Sequence, residues 1–311
     1  MTPLPEIKAN DLEKFFGNRA FSVTPVCNAS TTRVLDATNK YLVESGRARY
    51  FLIVANATFP STVALAVNKL FQARHAVGTE CQKAIEPPLL YGHWDNLSYG
   101  MWPYRPPLSN SRPLRLLQKR WLYPKVFLWL CKVAQHSKQQ VDHAEDVRNR
   151  FLLPLEFVAS HGDLGEQINT AAKRMLDKFT SRDAPLVNIF QHGDLWLGNI
   201  LLRSHLGPLE LKGRQAFQII DWAGATEVGY PFFDFIKLSM SCGRSVKQAQ
   251  RDMVHLSHRL GCHPNDATAY FLSGLGQLGC NLNCFPERSF VKLGRASFAF
   301  LEAANPTWQE I

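Results

Sequence analysis

His192-Gly193-Asp194-Leu195-Trp196-Leu197-Gly198-Asn199-Ile200-Leu201 sets a carboxylate two residues after a histidine and a carboxamide five residues after that carboxylate. Phosphoryl transfer asks little covalent chemistry of a protein. It needs one carboxylate to orient an attacking hydroxyl and take its proton, and oxygen ligands for a Mg²⁺ that neutralises phosphate charge. Asp194 suits the first task, and Asn199 with Asp221 suits the second. The surroundings sharpen this reading. Pro185 to Phe190 and Ile200-Leu201-Leu202 are short apolar runs that predict strands, and Ala216 to Ile220 predicts another that delivers Asp221 at its end. Leu206 to Arg214 reads as the turn between the last two. The plain alternative is a polar surface loop with a carboxylate capping a turn.

The segment from Asn188 to Leu238 resembles the aminoglycoside phosphotransferase and choline kinase family, the small-molecule branch of the protein-kinase-like fold. The residues carrying the likeness are His192-Gly193-Asp194, Asn199, Ile219-Ile220-Asp221-Trp222 and Gly229-Tyr230-Pro231-Phe232-Phe233-Asp234. The wide gap between Asn199 and Asp221, and Asp-Trp where protein kinases carry Asp-Phe-Gly, look like this branch. The resemblance implies an α+β, bilobal fold with a small β-rich N-lobe and a larger, mainly helical C-lobe. It implies ATP and Mg²⁺, a catalytic base at Asp194 and metal ligands at Asn199 and Asp221. His192 would brace the catalytic loop, and Asp234 would tie the metal-ligand loop to the following helix.

Length and composition agree with such an enzyme. A chain of 311 residues with 46% hydrophobic and 20% charged residues can bury two adjoining cores. The seven cysteines are odd in number and scattered, which favours reduced thiols and a cytoplasmic location over a disulfide framework. The start is polar, without an apolar stretch of signal-peptide length, and no run is long enough to span a bilayer.

Alternation predicts a β-rich region over Phe21 to Asn56, with a turn at Ser45-Gly46-Arg47. Pro60 to Ala76 has helical spacing, and Pro87 to Gly92 and Leu97 to Trp102 read as two more strands. Pro103 to Pro107 is a stiff connection. Boundaries follow: a lobe over 1–102, a hinge over 103–110 and a catalytic lobe over 103–311. From the hinge to Phe179, and again after Asp234, the pattern is mostly helical.

The small lobe departs from the family pattern. Where relatives place a phosphate-holding Lys on the third strand, this chain has Ile53, and the following helix offers Asn68 where a Glu is expected. Arg49, on the same strand face as Ile53, and Lys69 are the substitutes in reach of phosphate; both also read as solvated surface charges. Ser30, Thr31 and Thr32, in Asn28 to Thr32, stand where a glycine-rich loop belongs. Their hydroxyls and backbone N–H groups suit a phosphate, or an ordinary polar β-turn. Two readings stay open: an ATP-dependent small-molecule kinase with a divergent phosphate clamp, or a kinase-like scaffold that has lost catalysis. The retained base and ligands favour the enzyme, since clustered carboxylates without a cation repel one another.

Charge narrows the acceptor. The formal net charge is +9, and after Leu202 there are 11 Lys+Arg against 9 Asp+Glu. That disfavours a cationic aminoglycoside and fits a neutral or anionic hydroxyl compound such as a sugar derivative. From Asn96 to Val141 eight Lys and Arg occur with no Asp or Glu, interleaved with aromatic residues. Residues 112–132 therefore suit peripheral contact with an anionic membrane, or a lobe-connecting helix with a solvated basic face. Pro124 predicts an interruption there. Nucleic acid is disfavoured because no binding motif accompanies the basic stretch.

Overall fold

Two tight turns build the first sheet. The computed structural model describes residues 10–27, 38–180, 186–203, 216–282 and 285–305. β1 (Ser22–Cys27), β2 (Asn39–Ser45), β3 (Ala48–Val54), β4 (Leu90–Trp94) and β5 (Leu97–Pro103) form one antiparallel sheet in the order β1-β2-β3-β5-β4. Gly46, at φ 59°, turns β2 into β3, and Asp95, at φ 52°, turns β4 into β5. Such left-handed positions are what two-residue hairpins need. The first turn sets the register: Ser45 pairs with Ala48, and each step outward pairs the next two residues until Lys40 faces Ile53.

Period-two alternation gives this sheet two different faces. Tyr41, Val43, Leu52, Val54, Tyr99 and Met101 form a core under Leu12 and Phe16 of α1 (Asn10–Phe16). Asp11 pins α1 there, accepting hydrogen bonds from the Tyr99 hydroxyl at 2.8 Å and Trp94 Nε1 at 3.2 Å. On the opposite face, Ile53 and Trp102 pack against Ala55 and against Val63 and Val67 of α2 (Thr62–Ala76). The far end of α2 belongs to a larger core. Leu70 and Ala73, with Val77 and Cys81 to Ile85, pack into the cluster that fills the helical lobe.

That lobe begins with α3 (Arg112–Ser137), followed by α4 (Ala144–Val147), a π-helical turn over Arg148–Leu152, α5 (Leu153–Ser160) and α6 (Glu166–Thr180). Pro124 does not interrupt α3, contrary to the expectation from sequence. It lies on the exposed side, where the carbonyl one turn back, deprived of its N–H donor by proline, faces solvent rather than the core. Two small sheets follow: β6 (Gln139–Val141), β7 (Leu186–Gln191) and β10 (Thr226–Gly229) in one, β8 (Ile200–Leu202) and β9 (Phe217–Ile219) in the other. α7 (Phe233–Cys242), α8 (Val246–Leu260), α9 (Ala267–Cys280) and α10 (Glu287–Ala304) complete the lobe. The α+β, two-lobed architecture matches the expectation. Cys81, Cys131, Cys242, Cys262 and Cys280 are free thiols, and burial pushes Cys131 up to about 12. Among the described residues, no helix is long and apolar enough to cross a membrane.

Candidate active site

The loop between β7 and β8 owes its shape to residues that sequence alone marks as small or polar. Gly193 has φ 83°, and a Cβ there would stand 2.6 Å from the carbonyl oxygen of Gly224. Only glycine suits both demands. Gly198 lies under the Trp196 indole, where a Cβ would come within 2.2 Å of the ring. The first approach brings the 192–199 loop against the 221–224 loop, and the second folds Trp196 over its own loop.

His192 joins the two loops. Its ring is buried, its Nδ1 accepts from the Asp194 backbone N–H at 3.2 Å, and its Nε2 lies 3.0 Å from the Ile220 carbonyl. An acceptor at Nδ1 leaves the proton on Nε2, which therefore donates to Ile220. Burial lowers the pKa of this imidazole, with Asp234, the Ile220 carbonyl, Asp221 and Asp194 opposing. A neutral ring is the form these hydrogen bonds require. The Ile220 N–H donates in turn to the Asn199 carbonyl at 3.0 Å. Asp221 follows with φ 65° and is exposed. That left-handed conformation is uncommon outside glycine and is tolerated best by Asp and Asn.

Helix α7 grips the 192–199 loop with two side chains one turn apart. Asp234 accepts hydrogen bonds from the backbone N–H groups of His192 at 2.6 Å, Gly193 at 3.0 Å and Leu195 at 3.4 Å. Burial raises its pKa, while Lys237 and the backbone N–H groups of His192 and Leu195 pull it back. The sequence reading tied Asp234 to the metal-ligand loop; its carboxylate is instead occupied by the catalytic loop. Lys237, largely buried, donates to Asp194 Oδ1 at 2.5 Å and to the Gly193 carbonyl at 3.0 Å. On its other side, Asp194 Oδ2 accepts from Asn199 Nδ2 at 2.9 Å and from Trp196 Nε1 at 3.2 Å. Sequence reading missed Lys237, although its spacing of three from Asp234 puts both on one helical face.

The remaining sequence candidates divide. Asn199 is buried beside Asp194, and its carboxamide nitrogen is occupied there; among the described residues its Oδ1 has no hydrogen-bond partner. Arg49 is not brought to this loop: its guanidinium pairs with Glu44 at 3.0 Å and lies over the Tyr104 ring. Ser30, Thr31 and Thr32 lie outside the described residues. Lys40, which sequence reading passed over, stands directly opposite Ile53 on the neighbouring strand and is half-buried. Paired residues share a sheet face, so Lys40 projects from the face that carries α2, and α2 reaches β10 just beyond the Asp221 loop. A surface cavity of about 320 Å³ lined by Gly78, Glu80, Lys132 and His136, among others, shares no residue with this site.

Solved structures with this architecture identify it. A spectinomycin phosphotransferase, solved with ADP and spectinomycin, aligns over 99% of this chain and 99% of its own, with a TM-score of 0.54 and 13% identity. A protein from Ralstonia eutropha JMP134 assigned as an aminoglycoside phosphotransferase covers 96% and 98%, with a TM-score of 0.55 and 10% identity. The chain has the aminoglycoside phosphotransferase fold. A Haemophilus somnus 129PT protein assigned as a fructosamine-3-kinase shares this fold over 94% and 96%, with a TM-score of 0.51 and 11% identity. No protein-family model matches the sequence, and neither does any curated protein.

The donor set of this phosphotransferase-fold site can be tested against a metal. Among the described residues, no three His, Cys, Asp or Glu side chains gather to hold an ion. An open carboxamide oxygen at Asn199 and an exposed carboxylate at Asp221 suit a hard cation that takes most of its ligands from water and phosphate. Mg²⁺ is a cation of that kind.

Proposed function

We propose that the chain is an ATP- and Mg²⁺-dependent phosphotransferase acting on a hydroxyl of a small molecule. The observation that carries this reading is the direct joining of the base loop to the ligand loop, through His192 to Ile220 and Ile220 to Asn199. The nucleotide would lie in the cleft between lobes 1–102 and 103–311, hinged at 103–110. Bound Mg²⁺ would neutralise phosphate charge, with Asn199 and Asp221 as its protein ligands. Asp194 Oδ1 has Lys237 as its described partner and keeps a lone pair for an acceptor hydroxyl. Asp194 orients that hydroxyl and takes its proton as the new O–P bond forms and the bond to the leaving ADP breaks. Lys237 and Asn199 hold the carboxylate in plane. Lys40 supplies the cation for the phosphates that Ile53 cannot.

The acceptor is a neutral or anionic compound such as a sugar derivative. The net charge of +9, and a positive excess after Leu202, support this over a polycation. The observation favouring a non-catalytic scaffold is the apolar Ile53, and Lys40 across the strand pair offsets it.

The test is ADP formation across a panel of sugars, together with the melting temperature with and without Mg·ATP. Asp194→Asn should lower turnover by about 10²–10⁴-fold while nucleotide-dependent stabilisation persists. Asp221→Ala should weaken both. Wild-type turnover in Asp194→Asn would dismiss this base, and no nucleotide-dependent shift in the wild type would favour the scaffold.

A further inference from the structure

We infer that α3 carries a docking surface for an anionic membrane. Leu114, Leu117, Trp121, Pro124 and Leu128 recur at spacings of three and four, which aligns them as one stripe on the order of 20 Å long. The stripe faces solvent. Leu114 is 48% exposed, Leu117 62% and Leu128 45%, Pro124 is exposed and Trp121 half-buried. The core-facing side of the same helix is built from Leu122, Val126, Trp129, Leu130 and Val133. The exposed leucines are therefore surplus to folding. An apolar stripe this long on a water-soluble surface calls for an occupant.

Charge identifies the occupant. Arg120 and Lys125 are exposed on the two flanks of the stripe, Arg112 and Arg115 are exposed in the first turn on the other side of the helix, and among the described residues none of the four has an ion-pair partner within 4 Å. Lys125 lies over the Trp121 ring, so cation and apolar surface share one patch. The two cations of the stretch that are neutralised, Arg105 by Glu86 and Lys132 by Glu80, lie outside the stripe. No Asp or Glu occurs between Asn96 and Val141. A second copy of the chain would set these cations against one another, which disfavours self-pairing through the stripe. A phospholipid surface meets both requirements, with acyl chains for the leucines and anionic headgroups for the rim. The unbroken course of α3 through Pro124 lets the stripe lie along one plane.

Co-sedimentation of the full chain with phosphatidylserine–phosphatidylcholine vesicles, and with phosphatidylcholine alone, tests this. Binding is expected to the mixed vesicles only, and to weaken as salt rises. Leu114→Ser with Leu117→Ser should lower partitioning about tenfold or more. Arg120→Glu with Lys125→Glu should lower it by more than about tenfold, since each surface cation is worth about fivefold. Unchanged melting temperatures in these surface variants exclude misfolding. No vesicle binding, or binding indifferent to the leucines, overturns the inference. Self-association or RNA binding without vesicle binding overturns it too, and reassigns the stripe to that partner. The readout needs no turnover, so its failure and that of the phosphotransfer reading are distinguishable: Asp194→Asn should bind vesicles as the wild type does.

Discussion

Asp194 is held from both sides, by Lys237 on Oδ1 and by Asn199 and Trp196 on Oδ2, so the plane of the proposed base is set by the protein alone. Removing Lys237 frees one side. Lys237→Met should lower kcat by about 10- to 100-fold with KM for acceptor little changed, and Lys237→Arg should restore part of the loss. Equal losses in both variants, or an effect on KM alone, would remove Lys237 as a positioning residue. In the proposed reaction Lys40 serves a different step. Lys40→Ala should raise KM for the nucleotide about tenfold, the scale of a charge-assisted hydrogen bond, with a smaller effect on kcat. A nucleotide KM unchanged in initial-rate measurements would dismiss Lys40 from the phosphates. Both lysines left a trace in the sequence. Counting back from the Gly46 turn pairs residue 40 with 53, and counting forward three from Asp234 reaches 237. The count is meaningful only once the turn and the helix are known to be there.

At the scale of elements, the fold depends on backbones that approach more closely than a methyl group allows. α5 and α9 cross at Gly276, where a Cβ would meet the Pro154 carbonyl oxygen at 1.9 Å. Gly276→Ala should therefore destabilise the protein by roughly 1–3 kcal/mol, read as a lower denaturation midpoint with an unchanged slope. An unchanged midpoint would mean that the helices separate without loss. α7 carries the other element-scale device, with Asp234 holding backbone N–H groups and Lys237 a backbone carbonyl of the same loop. The strands of the small lobe were readable because alternation and tight turns are local signals. The continuity of α3 was not, because a proline in mid-helix is tolerated only on a side facing water, and that side is a property of packing.

For the molecule as a whole, the two lobes are joined by packed side chains as well as by the chain itself. Leu70 to Ile85 packs into the helical lobe's core, and Arg203 donates to the Lys83 carbonyl at 2.7 Å across the junction. At the centre, His192 and Asp234 give stability a pH dependence. The folded imidazole has a depressed pKa, so its contribution is present above the unfolded value near 6.5 and is lost as pH falls through 6.5 toward the folded value. The Asp234 carboxyl is raised and acts with the opposite sign, contributing below its unfolded value and losing that contribution as pH rises through the folded one. The melting temperature should therefore fall on acidification below about 6.5, and His192→Gln should flatten that limb while lowering stability overall. A wild-type melting temperature level from neutral pH into the acid range would exclude a neutral, buried His192.

The sequence by itself determined the two-lobed plan, the loop bearing Asp194 and Asn199, and the absence of a lysine at 53. Each follows from residue type and near-neighbour spacing, which local backbone geometry translates directly. Only the tertiary structure decided that Asp234 and Lys237 hold the 192–199 loop, that Arg49 is occupied by Glu44 and Tyr104, and that the leucines of α3 face outward. Those depend on which surfaces meet across dozens of intervening residues, and spacing along a chain carries no record of that.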